Sequence, residues 1–332
     1  MKIYRNTPLL LSAGYGIIQA EKNKAAEGPP RTTRKKKKLT ITEAELSEMT
    51  FGVELEYDRI STRKAAETVA AAVGGTYRYD GSHLSNWVVT MPDGRKWNCE
   101  TDGSVHNGSE TVSPILRIGD IPMLQTVVRA LRHAGARTGG GAGLHIHVGA
   151  AQMTPKQIQN LVKIFYKQEE LIVKGCGTAA HRLGWFTRRT DREFVDKMLK
   201  LRNPTMASLA DAYYHGQSRN GHYNHARYRT LNLHNLWNGD KHTVEFRLFE
   251  ATTHAGEIRT NVLLALTIVH KAMDAKAASA RKPRPYNEQS ARYDLRVFLL
   301  RLGWIGEMFK APRKHLLKRM PGSAAWKDGR HD

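Results

Sequence analysis

The chain has 332 residues, with 52 Lys and Arg against 31 Asp and Glu, for a formal charge of +21. Forty per cent hydrophobic residues and six tryptophans supply the core of one large domain or two ordinary ones, which excludes wholesale disorder and collagen-like repeats. Only two cysteines are present, Cys99 and Cys176, far apart; this excludes a disulfide scaffold and fits a reducing, cytoplasmic setting. No apolar run approaches the roughly 20 residues that a membrane span needs.

The first residues, MKIYR followed by PLLLSAGYGII, imitate a secretory signal, but Gly14, Gly16 and the lack of a small-x-small cleavage site argue against secretion. Positive charge collects at the two ends. Residues 1–49 hold ten Lys/Arg against five Asp/Glu, and residues 281–332 hold thirteen against five. Arg34 to Lys38 is an unbroken cationic run, readable as a solvated arm or as an electrostatic footprint for nucleic acid or another polyanion. No zinc-finger spacing, RRM signature or basic-region heptad accompanies it, so specific base readout has no support. Glu27-Gly28-Pro29-Pro30 has the composition of a linker, and Pro283 and Pro285 interrupt the chain again. The expected division is a basic N-terminal extension over 1–49, a main domain over 50–280 and a basic helical tail over 281–332.

Along the main domain, Phe51–Tyr57 alternates as a strand, and Thr62–Val73 is an Ala-rich helix stopped by Gly74-Gly75. Asn86–Thr90 and Lys96–Thr101 flank Met91-Pro92-Asp93-Gly94-Arg95 as a hairpin, and Glu110–Ser113 is a strand stub before Pro114. Ile118–Ala134 has helical spacing. Gly143–Gly149 is a strand after the glycine run 139–141. Thr154-Pro155 opens a helix reaching about Lys174. Arg229–Leu236 and Thr243–Phe249 read as two further strands, Ile258–Met273 as an apolar helix, and Tyr286–Trp304 as a helix in the tail. Hairpin connections among interleaved helices predict an α+β fold with a largely antiparallel sheet rather than a doubly wound one.

Side chains at i and i+2 share a strand face. Glu54 and Glu56 therefore project together, as do His145 and His147, and Glu245 and Arg247, while Asp102 and Glu110 bracket a Gly-containing loop. Any one pair alone is explained by an amphipathic strand with a wet face. Several such strands in one sheet would instead converge their carboxylates on one surface, where like charges stay ionised only beside cations. Carboxylates with an imidazole and an arginine suit Mg²⁺ or Mn²⁺, and the same equipment serves phosphoryl transfer. A zinc set, a Gly-x-Ser-x-Gly elbow and a Walker A loop are all missing from the sequence.

Phe51-Gly52-Val53-Glu54-Leu55-Glu56, Glu100-Thr101-Asp102-Gly103-Ser104 running to Gly108-Ser109-Glu110-Thr111-Val112-Ser113-Pro114, Gly143-Leu144-His145-Ile146-His147-Val148, Arg229-Thr230-Leu231-Asn232 and Thr243-Val244-Glu245-Phe246-Arg247 together resemble the amidoligase family. That family is a branch of the carboxylate–amine ligases that include glutamine synthetase and glutamate–cysteine ligase. The likeness covers about residues 50–275 in the same order and leaves the tails outside. It implies an antiparallel sheet funnel of the glutamine synthetase and glutamate–cysteine ligase type, holding ATP and Mg²⁺ (or Mn²⁺). It implies Glu54, Glu56, Asp102, Glu110, His145 and Glu245 as metal ligands, and His147, Arg229 and Asn232 as nucleotide-phosphate or substrate contacts. Arg247 then lies on the transferring γ-phosphate, with Glu245 beside it at the reacting centre. The implied reaction joins a carboxylate to an amine through an acyl phosphate; small metabolites, peptides and proteins stay open as substrates. Two other readings remain: a nucleic-acid- or polyanion-binding protein on the same scaffold, contacting its partner through the basic tails, and a metal-dependent phosphohydrolase. Tyr213–Arg229, rich in His, Tyr, Gly and Arg, reads either as a substrate-facing loop or as an exposed polar connection.

Overall fold

A computed structural model of the chain describes residues 40–81, 86–102, 108–139, 141–221, 224–279 and 285–328. The cationic run Arg34 to Lys38 and the signal-like N-terminal stretch lie outside the described residues. The architecture is α+β, built on one antiparallel sheet. Its strands are β1 (Phe51–Tyr57), β2 (Thr76–Tyr79), β3 (Trp87–Thr90), β4 (Lys96–Asp102), β5 (Gly108–Val112), β6 (Gly143–Gly149), β7 (Leu231–Asn232) and β8 (Thr243–Glu250), in the order β2-β3-β4-β5-β1-β6-β8-β7. Every described strand pair is antiparallel.

The alternation in sequence is what gives the sheet two unlike faces. Phe51, Val53 and Leu55 on β1, Leu144, Ile146 and Val148 on β6, and Val244 and Phe246 on β8 are all buried on one face. Helices cover that face. Helices α2 (Thr62–Val73) and α3 (Ile121–His133) pack together, with α2 against β3 and β4. Helices α4 (Pro155–Cys176) and α9 (Ala255–Asp274) pack together, with α4 against β8 and α9 against β6. Their ends are set locally. Ser61 accepts a hydrogen bond from Lys64 N and Gly74 closes α2 at φ 67°, while Thr154 and Gln157 form a capping box at α4, which ends on Gly177 at φ 73°.

Alternation fails at one point. In the β6–β8 pairing Leu144 faces Phe249 and Ile146 faces Phe246, so Arg247 and Leu248 together oppose His145. This bulge turns the strand by one residue, and the adjacent Leu248 and Phe249 are both fully buried as a result.

Two expectations change. Arg229–Leu236 reads as one strand, but only Leu231–Asn232 pairs with β8, and α8 (His234–Trp237) follows directly. The cause is Asn232, whose Oδ1 accepts a hydrogen bond from His234 N and folds the chain into a turn. Tyr213 and Tyr214 belong to α7 (Met206–Tyr214), not to a connecting loop, and are buried.

The ends of the described chain join the same core. Near the N-terminal side, α1 (Glu43–Leu46) buries Leu46, and Ile41 is buried beside it. Within the tail, α10 (Ala291–Arg301) buries Leu295, Phe298 and Leu299, and Trp304 and Phe309 stack before α11 (Lys310–Leu317), which packs on α9. No helix among the described residues is long and apolar enough to cross a membrane.

Candidate active site

The polar face of the sheet is organised by strand register. Glu100 on β4 faces Glu110 on β5, and Glu110 faces Glu56 on β1, so three glutamates form one row across three strands. Two steps along, Glu54 faces His145. On the far side of β6, His147 faces Glu245 on β8, and Glu245 faces Asn232 on β7. Residues scattered from 54 to 247 thereby reach one surface, because antiparallel neighbours directly opposite lie only about 4.5–5.5 Å apart at Cβ.

His145 sits at the centre. Its Nδ1 lies 3.2 Å from Glu54 Oε2 and 3.8 Å from Glu245 Oε1, and its Nε2 lies 3.4 Å from Glu56 Oε1. His147 Nδ1 is 3.2 Å from Thr243 Oγ1, while its Nε2 lies 3.1 Å from Glu54 Oε1 without the alignment of a hydrogen bond. Glu245 is held from two sides: Asn232 Nδ2 donates to Oε2 at 2.7 Å, and Arg247 Nη1 donates to Oε1 at 2.6 Å. Glu56 Oε2 accepts from Gly143 N at 2.6 Å. Lys241, largely exposed, reaches to 3.7 Å from Glu54 at the mouth of the site.

The cations keep the acids ionised although they are buried. Burial opposes ionisation of Glu54, but His147 and His145 outweigh it and hold the carboxyl well below its usual value. Glu245 is likewise disfavoured by burial, yet Arg247 and then the two histidines bring it down to about 2. Reciprocally, burial would lower His147, and the charges of Glu54 and Glu245 raise it instead.

The donor set fits a divalent cation. Glu54, His145 and Glu245 offer three ligand atoms within 4.8 Å of one another, and Glu56, Glu110 and His145 offer three more. His145 belongs to both groups, which thus adjoin. Carboxylate oxygens with one imidazole match the preferences of Mg²⁺ and Mn²⁺ rather than of zinc. Nε2 of His147 is a further buried nitrogen without a hydrogen bond.

Glu54, Glu56, Glu110, His145, His147, Asn232, Glu245 and Arg247 therefore gather on one face. Arg229 does not join them: its guanidinium donates to Asp191 Oδ2 at 3.2 Å and to the Arg189 carbonyl at 3.1 Å. Asp102 lies at the end of β4 opposite Gly108, and its side chain is outside the described set. Sequence reasoning passed over Glu100, which occupies the row directly opposite Glu110; its spacing of two from Asp102 was the signal. It also missed Arg182, which reaches the site from α5 (Ala180–Gly184) and donates to the carbonyls of Gly141 and Arg247.

Among solved structures, a bifunctional glutathione synthetase from Pasteurella multocida is similar at 10% identity and a TM-score of 0.44, over 83% of this chain and 48% of that one. The complex of the prokaryotic ubiquitin-like protein Pup with its ligase PafA is similar at 11% identity and a TM-score of 0.28, over 70% and 48%. The chain thus spans about half the length of these structures. No curated protein matches it by sequence. A family model described as "Putative amidoligase enzyme" matches residues 47–269, which takes in every strand of the sheet and all the gathered side chains. The chain belongs to the amidoligase family.

Proposed function

We propose that the chain is an ATP- and Mg²⁺-dependent ligase that joins a carboxylate to an amine through an acyl phosphate. The observation that carries this reading is the convergence of four carboxylates, two imidazoles and one arginine at the sheet face, spread over four strands and aligned by their register. Mg²⁺ held by Glu54, Glu56, Glu110, His145 and Glu245 would neutralise phosphate charge as it shifts from one oxygen to another.

The chain's own groups do the rest. Arg247 is buried, spends one nitrogen on Glu245 and keeps its Nε without a hydrogen bond, so the guanidinium can also donate to the phosphoryl group being transferred. Asn232 and Arg247 hold both oxygens of Glu245 in place. Lys241 at the mouth attracts the anionic reactants. The substrate carboxylate displaces ADP from the γ-phosphorus to give the acyl phosphate. The amine then attacks the acyl carbon, the C–O bond to phosphate breaks, and the proton lost by nitrogen leaves on the phosphate. A peptide or protein could supply either reactant.

The test is ADP release measured with candidate acids and amines together and apart. Glu54→Gln and Glu245→Gln are each expected to lower the Mg²⁺-dependent rate by about a hundredfold or more. Release that needs neither acid nor amine would identify a phosphohydrolase instead.

A further inference from the structure

Beyond the β7 edge a cavity of about 190 Å³ opens among α4, α6 (Arg192–Lys200), α7 and residues 224–233. Its walls are apolar and aromatic, including Phe194, Tyr213 and Leu233, and its charged lining includes Arg188, Asp191 and Arg229. These charges do not cancel. Asp191 is already fully engaged: Oδ2 accepts from Arg229 at 3.2 Å and from His215 Nε2 at 2.8 Å, and Oδ1 accepts from Glu193 N at 2.9 Å. Among the described residues it is the only acid in the lining. Arg188 donates from one terminal nitrogen to the His225 carbonyl at 3.1 Å, while its Nε is buried and makes no hydrogen bond among the described residues.

Arg188 thus keeps hydrogen-bonding capacity beside the cavity, and a carboxylate is the best planar partner of a guanidinium. The apolar and aromatic sides favour a ligand with a hydrocarbon body over a bare inorganic anion. The cavity also adjoins the sheet site: Tyr213 Oη lies 3.3 Å from Asn232 Oδ1, and Asn232 in turn holds Glu245.

We propose that this cavity binds the carboxylate of a small organic anion with an apolar body, anchored on Arg188 and separate from the carboxylate that reacts. The anion is either the remote end of a substrate or a distinct effector. Only that choice rests on the ligase reading; the binding itself does not.

Calorimetric titration of the full chain without nucleotide tests it, using propionate, butyrate, isobutyrate and hexanoate, each beside its neutral amide, and inorganic phosphate. At least one carboxylate is expected to bind while its amide and phosphate do not. Arg188→Gln should weaken that binding by about tenfold to a hundredfold, the loss of one charge-assisted hydrogen bond, and Arg188→Lys should restore part of it. A crystal soaked with 4-bromobutyrate should place the bromine signal in the cavity, a result that depends on no variant. If no carboxylate binds, if amide or phosphate binds equally well, or if the bromine lies elsewhere, the proposal is overturned. Where ligase activity is present, a raised KM with kept kcat in Arg188→Gln assigns the anion to a substrate, and unchanged kinetics with lost binding assigns it to an effector. A chain without ligase activity that still binds carboxylate through Arg188 would sink the ligase reading and keep the pocket.

Discussion

Gly143 is a residue whose identity follows from a neighbour far away in sequence. A Cβ placed there would lie 2.8 and 2.9 Å from Nη1 and Cζ of Arg182, which is 1% exposed and tied by hydrogen bonds to the carbonyls of Gly141 and Arg247. The backbone N of Gly143 also donates to Glu56, so any displacement is passed to a candidate metal ligand. Burial lowers the Arg182 guanidinium, and Glu56 and Glu250 act against that. Gly143→Ala is therefore expected to lower stability by about 1–3 kcal/mol in urea unfolding, the usual cost of overpacking a closed site. Gly52→Ala on the neighbouring strand provides the contrast, because its nearest atom is Ser113 Oγ at 3.9 Å and its stability should hardly change. Equal effects would mean that the Arg182 contact is not what requires glycine at 143. The glycine opening the His-x-His strand was visible in the sequence. Its reason was not, because the arginine that occupies the space comes from a separate helix.

At the scale of elements, β1, β6 and α2 were legible to the residue, since period-two alternation and an Ala-rich run stopped by Gly74-Gly75 leave little choice. Register was not legible. Nothing in Glu100-Thr101-Asp102 says which acid faces Glu110, and the pairing chooses Glu100. The shortness of β7 was hidden for a similar reason, a hydrogen bond that the Asn232 side chain accepts from His234 N and that competes with the ladder. One contact between elements carries a pH signature. Glu257, in the first turn of α9, lies 2.7 Å from Arg319 and 3.5 Å from Lys318, just past the end of α11. Burial raises its carboxyl, but Arg319, Thr252 and Lys318 outweigh this and depress it below the ordinary value of 4.5. A depressed folded value stabilises the fold above the unfolded value and loses that contribution as pH falls through the folded one. Glu257→Gln is expected to cost about 1 kcal/mol at neutral pH, discounted for its partial exposure, and nothing once the wild-type carboxyl is protonated. Urea midpoints of the two proteins should converge on acidification; a constant gap would exclude the ion pair as its source.

At the scale of the whole molecule, the question is whether the basic tail is an appendage or a part of the core. Composition alone sets residues 281–332 apart, because charge and prolines are visible in sequence while burial is not. In the fold several of those cations serve internal contacts: Arg292 Nε donates to the Met320 carbonyl at 2.7 Å, and Arg319 pairs with Glu257. Trp304 is the point of attachment. It is fully buried, stacks on Phe309 with centroids 5.1 Å apart, and donates from Nε1 to Thr267 Oγ1 on α9 at 2.9 Å. Helix α9 also packs against β6, which carries His145 and His147, so loosening the tail should be felt beneath the site. Trp304→Ala is expected to cost about 3–5 kcal/mol, the range for emptying a large aromatic position in a core. Trp326→Ala, 54% exposed in the same tail, should change stability by about 0.5 kcal/mol or less. Denaturant unfolding of the two variants decides the matter: a mild effect at Trp304 would mean that the tail unfolds on its own and that the domain over 50–280 stands without it.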